Sequence, residues 1–202
     1  ATALEREAMV ADDEALRGRL LAAAGRSHFS RRGNWDDAAR CFSGAIAAGE
    51  APRDVLVAYG HVVASQQSFD QLRDVLVRRA EGAEGGDAAE ALHDAALVTR
   101  NHLRDDAGAV ALLQRAVAAA PDDWFSLRLL REQLHRTSDW SALVDTLGAM
   151  AAVAGGAQAA RLYVEQGRVL EQHLERGDDA RAAFVQAREA APDSVEAFLA
   201  LE

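Results

Sequence analysis

The chain has 202 residues, half of them hydrophobic but only 5% aromatic, with a formal charge of −10. That acidic surplus excludes a general affinity for phosphate backbones or anionic membrane surfaces, which need clustered basic residues. All 22 basic residues are Arg, so no Schiff-base amine and no lysine of a phosphate-binding loop is available.

Ala, Leu, Arg and Glu dominate, β-branched residues are sparse and only three prolines occur, which predicts an all-α chain. The single cysteine, Cys41, cannot form an internal disulfide, which suits a reducing, cytoplasmic setting. No run approaches the roughly 20 apolar residues of a membrane span, so no membrane insertion is expected. Arg in place of Lys, with abundant Ala, Gly and Asp, points to a high-GC bacterial genome.

Residues 1–11 read as an isolated helix. In "GNWDDAARCFSGAIAAG" (33–49), Trp35 opens a helix with Ala38, Phe42 and Ala45 on one face. Leu56, Tyr59, Gly60 and Val63 share the face of the next helix, and "SFDQLRDVL" opens another at Phe69. The glycine-bearing "EGAEGGD" (81–87) then leads into a helix from about Asp87 to Leu103, and a further helix opens at Asp106. Trp124 follows the Pro121 stop, "DWSALVDTL" opens at Trp140, and "VAGGAQ" (153–158) leads into a helix reaching Leu174. Gly177 opens the next, and "FVQAREAAPDSVEAFL" (184–199) echoes "LLQRAVAAAPDDWFSL" (112–127).

The openings at 35, 69, 106, 140 and 177 are spaced by 34, 37, 34 and 37 in turn. The long-range echo is therefore a pair of units, one shorter and one longer, with glycines expected to carry the extra residues of the longer one. This double step carries Trp35 onto Asp106 and Asp106 onto Gly177. Columns recur across the five units. Three residues after each opening stand Ala38, Leu72, Ala109, Leu143 and Ala180. Four later stand Phe42, Leu76, Leu113, Leu147 and Phe184. Helix pairs are expected to break near Gly33, Gln67, Arg104, Ser138 and Gly177, and a small-residue column (Gly25, Ala96, Gly167) marks the first helices.

On Ala180, Phe184, Ala187 and Pro192, matching A-x3-F-x2-A-x4-P in full, and on Ala109, Leu113, Ala116 and Pro121, matching it with one change, the chain resembles the tetratricopeptide repeat family. The resemblance covers almost the whole chain and is weaker in the first helices of units three and five. It implies a right-handed superhelical α-solenoid of about five helix pairs plus partial end helices, in a single domain over 1–202. Because both ends look truncated, with Ser194–Glu202 resembling a first helix without its second, the chain is expected to be a piece of a longer array. Leu201 and Glu202 fit either a native helix or a cloning scar.

Catalytic and metal chemistry find little support. Glu90 with His93, and Glu132 with His135, have the Glu-x-x-His spacing of di-iron bundles, but short helix pairs do not supply the further inward carboxylates such a centre needs. Cys41 beside Phe42 reads as a buried, inert thiol. His102 and His173 stand one double step apart at helix ends, which argues for a structural role. The Asp-Asp pairs at 36–37, 105–106, 122–123 and 178–179 are expected to cap helices. No catalytic residue, cofactor or metal ligand is expected, and the chain is not read as an enzyme.

What the resemblance implies instead is a binding scaffold whose first helices line a concave groove for a peptide or partner segment. Carried over position by position, the exposed groove residues are Arg19, Arg26 and Arg100, then Phe125, Arg128, Glu132, His135 and Arg136, and finally Arg161 and Arg168. So many Arg on one face of an acidic chain suggests an acidic protein or peptide partner. The carboxylate-clamp subgroup uses Lys and Asn at such places, and that activity does not carry over to a chain without Lys. Equally weighted is internal pairing of these Arg with nearby acids. The alternative function is a spacer within a larger protein, or an element that self-associates through its ends.

Overall fold

The computed structural model describes residues 1–31 and 34–200. The expected break at Gly33 and the reading of Leu201 and Glu202 fall outside the described residues. Among those residues there are twelve α-helices, one π-helical turn and no strand.

The helices fall into two compact units, Ala1–Arg104 and Asp105–Glu202. In the first unit, α1 (Thr2–Val10) is followed by the pair α2 (Glu14–Phe29) and α3 (Trp35–Ala47). Next come α4 (Arg53–Ser65) and α5 (Phe69–Glu81), then α6 (Gly85–Val98), which continues as the π-turn Thr99–Leu103. In the second unit, α7 (Asp106–Ala119) precedes the pair α8 (Trp124–Thr137) and α9 (Trp140–Ala154). The pair α10 (Gly156–Leu174) and α11 (Gly177–Ala190) follows, and then the short α12 (Val195–Leu199).

All five second helices begin on the residue at which the column pattern opens them. Side-chain caps explain two of these starts: Asp105 accepts from Gly108 N at 2.8 Å and Asp139 from Ala142 N at 3.2 Å. Asp123 caps α8 in the same way, accepting from Ser126 N at 3.0 Å. Asp36, Asp37, Asp178 and Asp179 lie inside the first turns of α3 and α11 and make no cap bond. There they complement the positive end of the helix instead.

The expected breaks recur as left-handed residues. Gln67, Arg104, Ser138 and Glu175 have φ of 56°, 59°, 58° and 54°. A non-glycine residue in that region costs about 1 kcal/mol or more, and here it reverses the chain at the end of a first helix. The turns recover hydrogen bonds: Ser68 N donates to Val63 O at 2.9 Å and Asp139 N to Leu134 O at 3.1 Å. Pro121 and Pro192 follow Ala120 and Ala191, whose extended backbones end α7 and α11.

Burial follows the columns in four of the five second helices. Ala38, Phe42 and Ala45 are fully buried, as are Leu143 and Leu147, and Ala109, Leu113, Ala180, Phe184 and Ala187 are nearly so. In α5 the face is rotated: Leu72 and Leu76 are only half-buried, and Val75 and Ala80 are the buried residues.

The extra residues of the longer units do not sit in glycine linkers alone. Gly85 and Gly86 begin α6, and Gly156 begins α10. α10 has 19 residues, and α6 has 14 followed by 5 in the π-turn, whereas α4 has 13 and α8 has 14. The first helices themselves are lengthened. In α6 a wide π-turn absorbs part of the change in phase, with Thr99 Oγ1 donating to Ala95 O at 2.7 Å.

Candidate functional site

The first helices of the second unit line an open cleft of about 490 Å³. α8 supplies Trp124 and Arg131, which share one helix face two turns apart. α10 supplies Arg161, Leu162, Glu165 and Arg168, and α12 supplies Glu196. Arg131 grips Glu165 with both nitrogens, at 2.9 and 2.6 Å, and Arg168 lies 3.4 Å from Glu196. Arg161 is exposed and, among the described residues, its side chain makes no hydrogen bond or ion pair.

The first unit uses the same lateral device. Arg26 meets Asp54 at 2.8 Å, joining α2 to α4, and Arg53 meets Asp87 at 2.8 Å, joining α4 to α6. Arg26 with Asp54 and Arg168 with Glu196 hold the same register, two double steps apart. Of the expected groove arginines, Arg26 and Arg168 thus pair with acids on the next first helix rather than on neighbouring turns of their own.

Of the residues expected to form the groove, Phe125, Arg128, Glu132, His135, Arg136, Arg161 and Arg168 lie in the second unit and Arg100 in the first. Arg161 and Arg168 line the cleft. Phe125 is 40% exposed, with the Arg128 guanidinium 5.3 Å from its ring centre, a cation–π contact on the surface of α8. Arg136 is taken up by an ion pair with Asp106, which also accepts from Gln133 Nε2 at 2.9 Å. His135 meets the Trp140 ring edge-on at 5.4 Å, Glu132 is exposed, and Arg100 Nε donates to Asn101 Oδ1 at 3.0 Å. Arg19 is exposed on α2. Arg131 is not among the expected groove residues, although its place on the face of Trp124 marks it.

Repetition also explains the two histidines. His102 stacks on Phe69 at 3.7 Å with ring planes 12° apart, and His173 stacks on Trp140 at 3.8 Å and 8°. In each case a first helix ends by laying an imidazole over the aromatic that opened the preceding second helix. A second pair of clefts repeats on the second-helix side, one in each unit. One is floored by Leu56 and Tyr59 and rimmed by Asp74; its counterpart, one double step on, uses Leu127, Leu130 and Asp145.

Among the described residues, one group of three potential metal ligands converges: Glu5, His28 and Cys41. His28 Nε2 lies 2.7 Å from Glu5 Oε1, and Arg40 donates to Glu5 Oε2 at 2.9 Å. The hydrogen bond from His28 holds the Glu5 carboxyl below its usual range, and burial pushes the Cys41 thiol up to about 11. The three stand far apart in the sequence and at no ligand-like spacing, so no sequence signal marks this convergence. Among the described residues, Glu90 and His93 join no such group, nor do Glu132 and His135.

No protein-family model matches the chain, and no curated protein matches it. Several solved structures are similar in outline. YrrB, described as a TPR protein with an unusual peptide-binding site, is 16% identical, with 98% of this chain and 95% of that one covered and a TM-score of 0.45. MamA is 17% identical over 86% of this chain and 91% of its own, with a TM-score of 0.46. MamA from Desulfovibrio magneticus RS-1, residue 41 to its end, is 16% identical over 84% and 94%, with a TM-score of 0.43. At such scores the likeness carries no weight of its own. The helix pairs opening at Trp35, Phe69, Asp106, Trp140 and Gly177, their buried columns and their recurring left-handed breaks do: the chain has an all-α helical-repeat fold whose units resemble tetratricopeptide repeats.

Proposed function

We propose that the chain is a non-catalytic protein–protein interaction scaffold that holds a partner segment in the first-helix cleft of its second unit. The observation that supports this is Arg161, a guanidinium without a partner among the described residues, lining one cleft with the half-buried Trp124. Every other arginine of that cleft already has an acid, so Arg161 is the position at which a partner carboxylate gains most. Trp124 adds an apolar surface that excludes water beside it, a pairing common at binding hot spots. The partner is therefore a peptide carrying an Asp, Glu or terminal carboxylate next to an apolar side chain.

Selection of displayed random peptides on the whole chain tests this, with Arg161→Glu as the counter-screen. Acidic peptides with a neighbouring apolar residue should be enriched and should lose binding to Arg161→Glu. Equal binding to both proteins would move the binding surface elsewhere.

A second reading, a spacer or self-associating element, draws on α12, where Val195, Phe198 and Leu199 are 71%, 56% and 61% exposed. Light scattering on a concentration series separates the two. Dimers that dissociate on Phe198→Glu favour association through this face, and a monomer at all concentrations favours the groove.

A further inference from the structure

We propose that Glu5, His28 and Cys41 form a binding site for a thiophilic divalent cation of the zinc class, which clips α1 onto α2 and α3. Each residue comes from a different helix, and the carboxylate, imidazole and sulfur donor atoms all lie within 4.8 Å of one another. Cys41 is fully buried and His28 is 4% exposed. An imidazole nitrogen, a sulfur and one carboxylate oxygen suit zinc, whereas magnesium and calcium prefer oxygen alone.

The surroundings aim the donors inward. Arg40 occupies Glu5 Oε2 at 2.9 Å, leaving Oε1 towards His28. The Asn34 amide lies 3.4 Å from His28 Nδ1, which leaves Nε2 for the cation. Charge also balances: a divalent cation with one thiolate and one carboxylate is neutral, and Arg40 is offset by Asp37 at 2.9 Å. On binding, Cys41 Sγ releases its proton to solvent, and the ring proton of His28 passes from Nε2 to Nδ1, where the Asn34 amide must turn its oxygen inward to accept it. Three protein ligands leave the fourth tetrahedral position for a water or a small solute.

The repeat shows that folding does not demand these residues. In the register of His28 and Cys41, the next double steps place Thr99 and Leu112, then Leu170 and Ala183, all buried. The core accepts apolar or hydroxyl side chains at these positions. A buried imidazole paired with a carboxylate costs desolvation that an apolar filling avoids, so its presence at only one step calls for a ligand.

Titration of the full chain with cobalt(II) at neutral pH, followed by zinc, tests the site. A saturable one-to-one thiolate-to-cobalt charge-transfer band should form, disappear on adding zinc, and be absent in Cys41→Ala. Glu5→Gln, which preserves packing, should weaken cobalt binding by about tenfold or more. Zinc should raise the melting temperature of the wild type and leave that of Cys41→Ala unchanged. No charge-transfer band from a wild-type chain with full helical dichroism, or equal cobalt binding by wild type and Cys41→Ala, would overturn the proposal.

Discussion

The ring of Phe184 occupies the space that a side chain at Gly167 would need: a Cβ there would stand 2.2 Å from Cε1. Gly25 stands in the same relation to Phe42, with a Cβ 2.6 Å from the ring. Helix α10 meets α11, and α2 meets α3, through a missing side chain on one side and a large ring on the other. In the same register between these two, the sequence has Ala96 where the others have glycine and Leu113 where they have phenylalanine.

Gly167→Ala should therefore destabilise the chain, although alanine is the better helix former. Overpacking costs about 1–3 kcal/mol, against a propensity gain of about 1 kcal/mol. Adding Phe184→Leu to Gly167→Ala should recover much of the loss, because it recreates the Ala–Leu combination. Phe184→Ala alone should cost about 3 kcal/mol by leaving a cavity. Chemical denaturation of the three variants checks the set, and additive losses in the double variant would refute the complementarity.

The bidentate Arg131–Glu165 pair should be worth more than the exposed Arg26–Asp54 pair. Its side chains are 39% and 30% exposed, against 47% and 62% for the other. Fork geometry and partial burial set Glu165→Gln at a loss of about 1 kcal/mol, reduced in high salt, while Asp54→Asn should stay within about 0.5 kcal/mol. Urea melts at two salt concentrations distinguish them.

His173→Ala should cost about 0.5–1.5 kcal/mol through lost stacking on Trp140, and His102→Ala a similar amount through Phe69. His173→Phe should retain most of the stability. An unchanged melting temperature in both alanine variants would show that the rings merely lie together.

Asp94 gives a pH signature. Burial pushes its carboxyl above the ordinary 3.8, against the opposing pull of His93 and Arg79. A carboxyl whose folded value is raised costs stability when ionised, and that cost disappears as pH falls through the folded and then the unfolded value. Asp94→Asn should therefore be more stable than wild type at neutral pH, and the advantage should vanish below about pH 3.8. A constant difference across the acid range would rule out ionisation as its cause.

The second helices were legible because three signals coincide in them: an opening residue, a column of buried side chains and a proline or cap at the boundary. Asp139, Trp140, Leu143 and Leu147 illustrate all three. The first helices were harder, since α6 and α10 are lengthened and the surviving column is glycine or alanine, a weak periodic signal. The groove was only partly legible. Its positions follow from helical spacing, but Arg136 is drawn to Asp106 on an earlier helix, and no local pattern shows that partnership. Glu5, His28 and Cys41 lie beyond sequence reading for the same reason, since only the folded chain brings three helices to one point.

Growth of such a chain by duplication would have to proceed in steps of two helix pairs. An inserted double repeat carries one short first helix, one long one, and the phase shift that joins them. It keeps every left-handed reversal on its spacing and carries an opening aromatic of the Phe69 and Trp140 register together with the imidazole that covers it. A single inserted helix pair of the shorter kind would place two short first helices in succession and leave one aromatic ring uncovered, as Phe69 would be without His102. The heritable quantum of this architecture is the doublet, and a library that recombines it at Gln67 and Ser138 cuts between equivalent points.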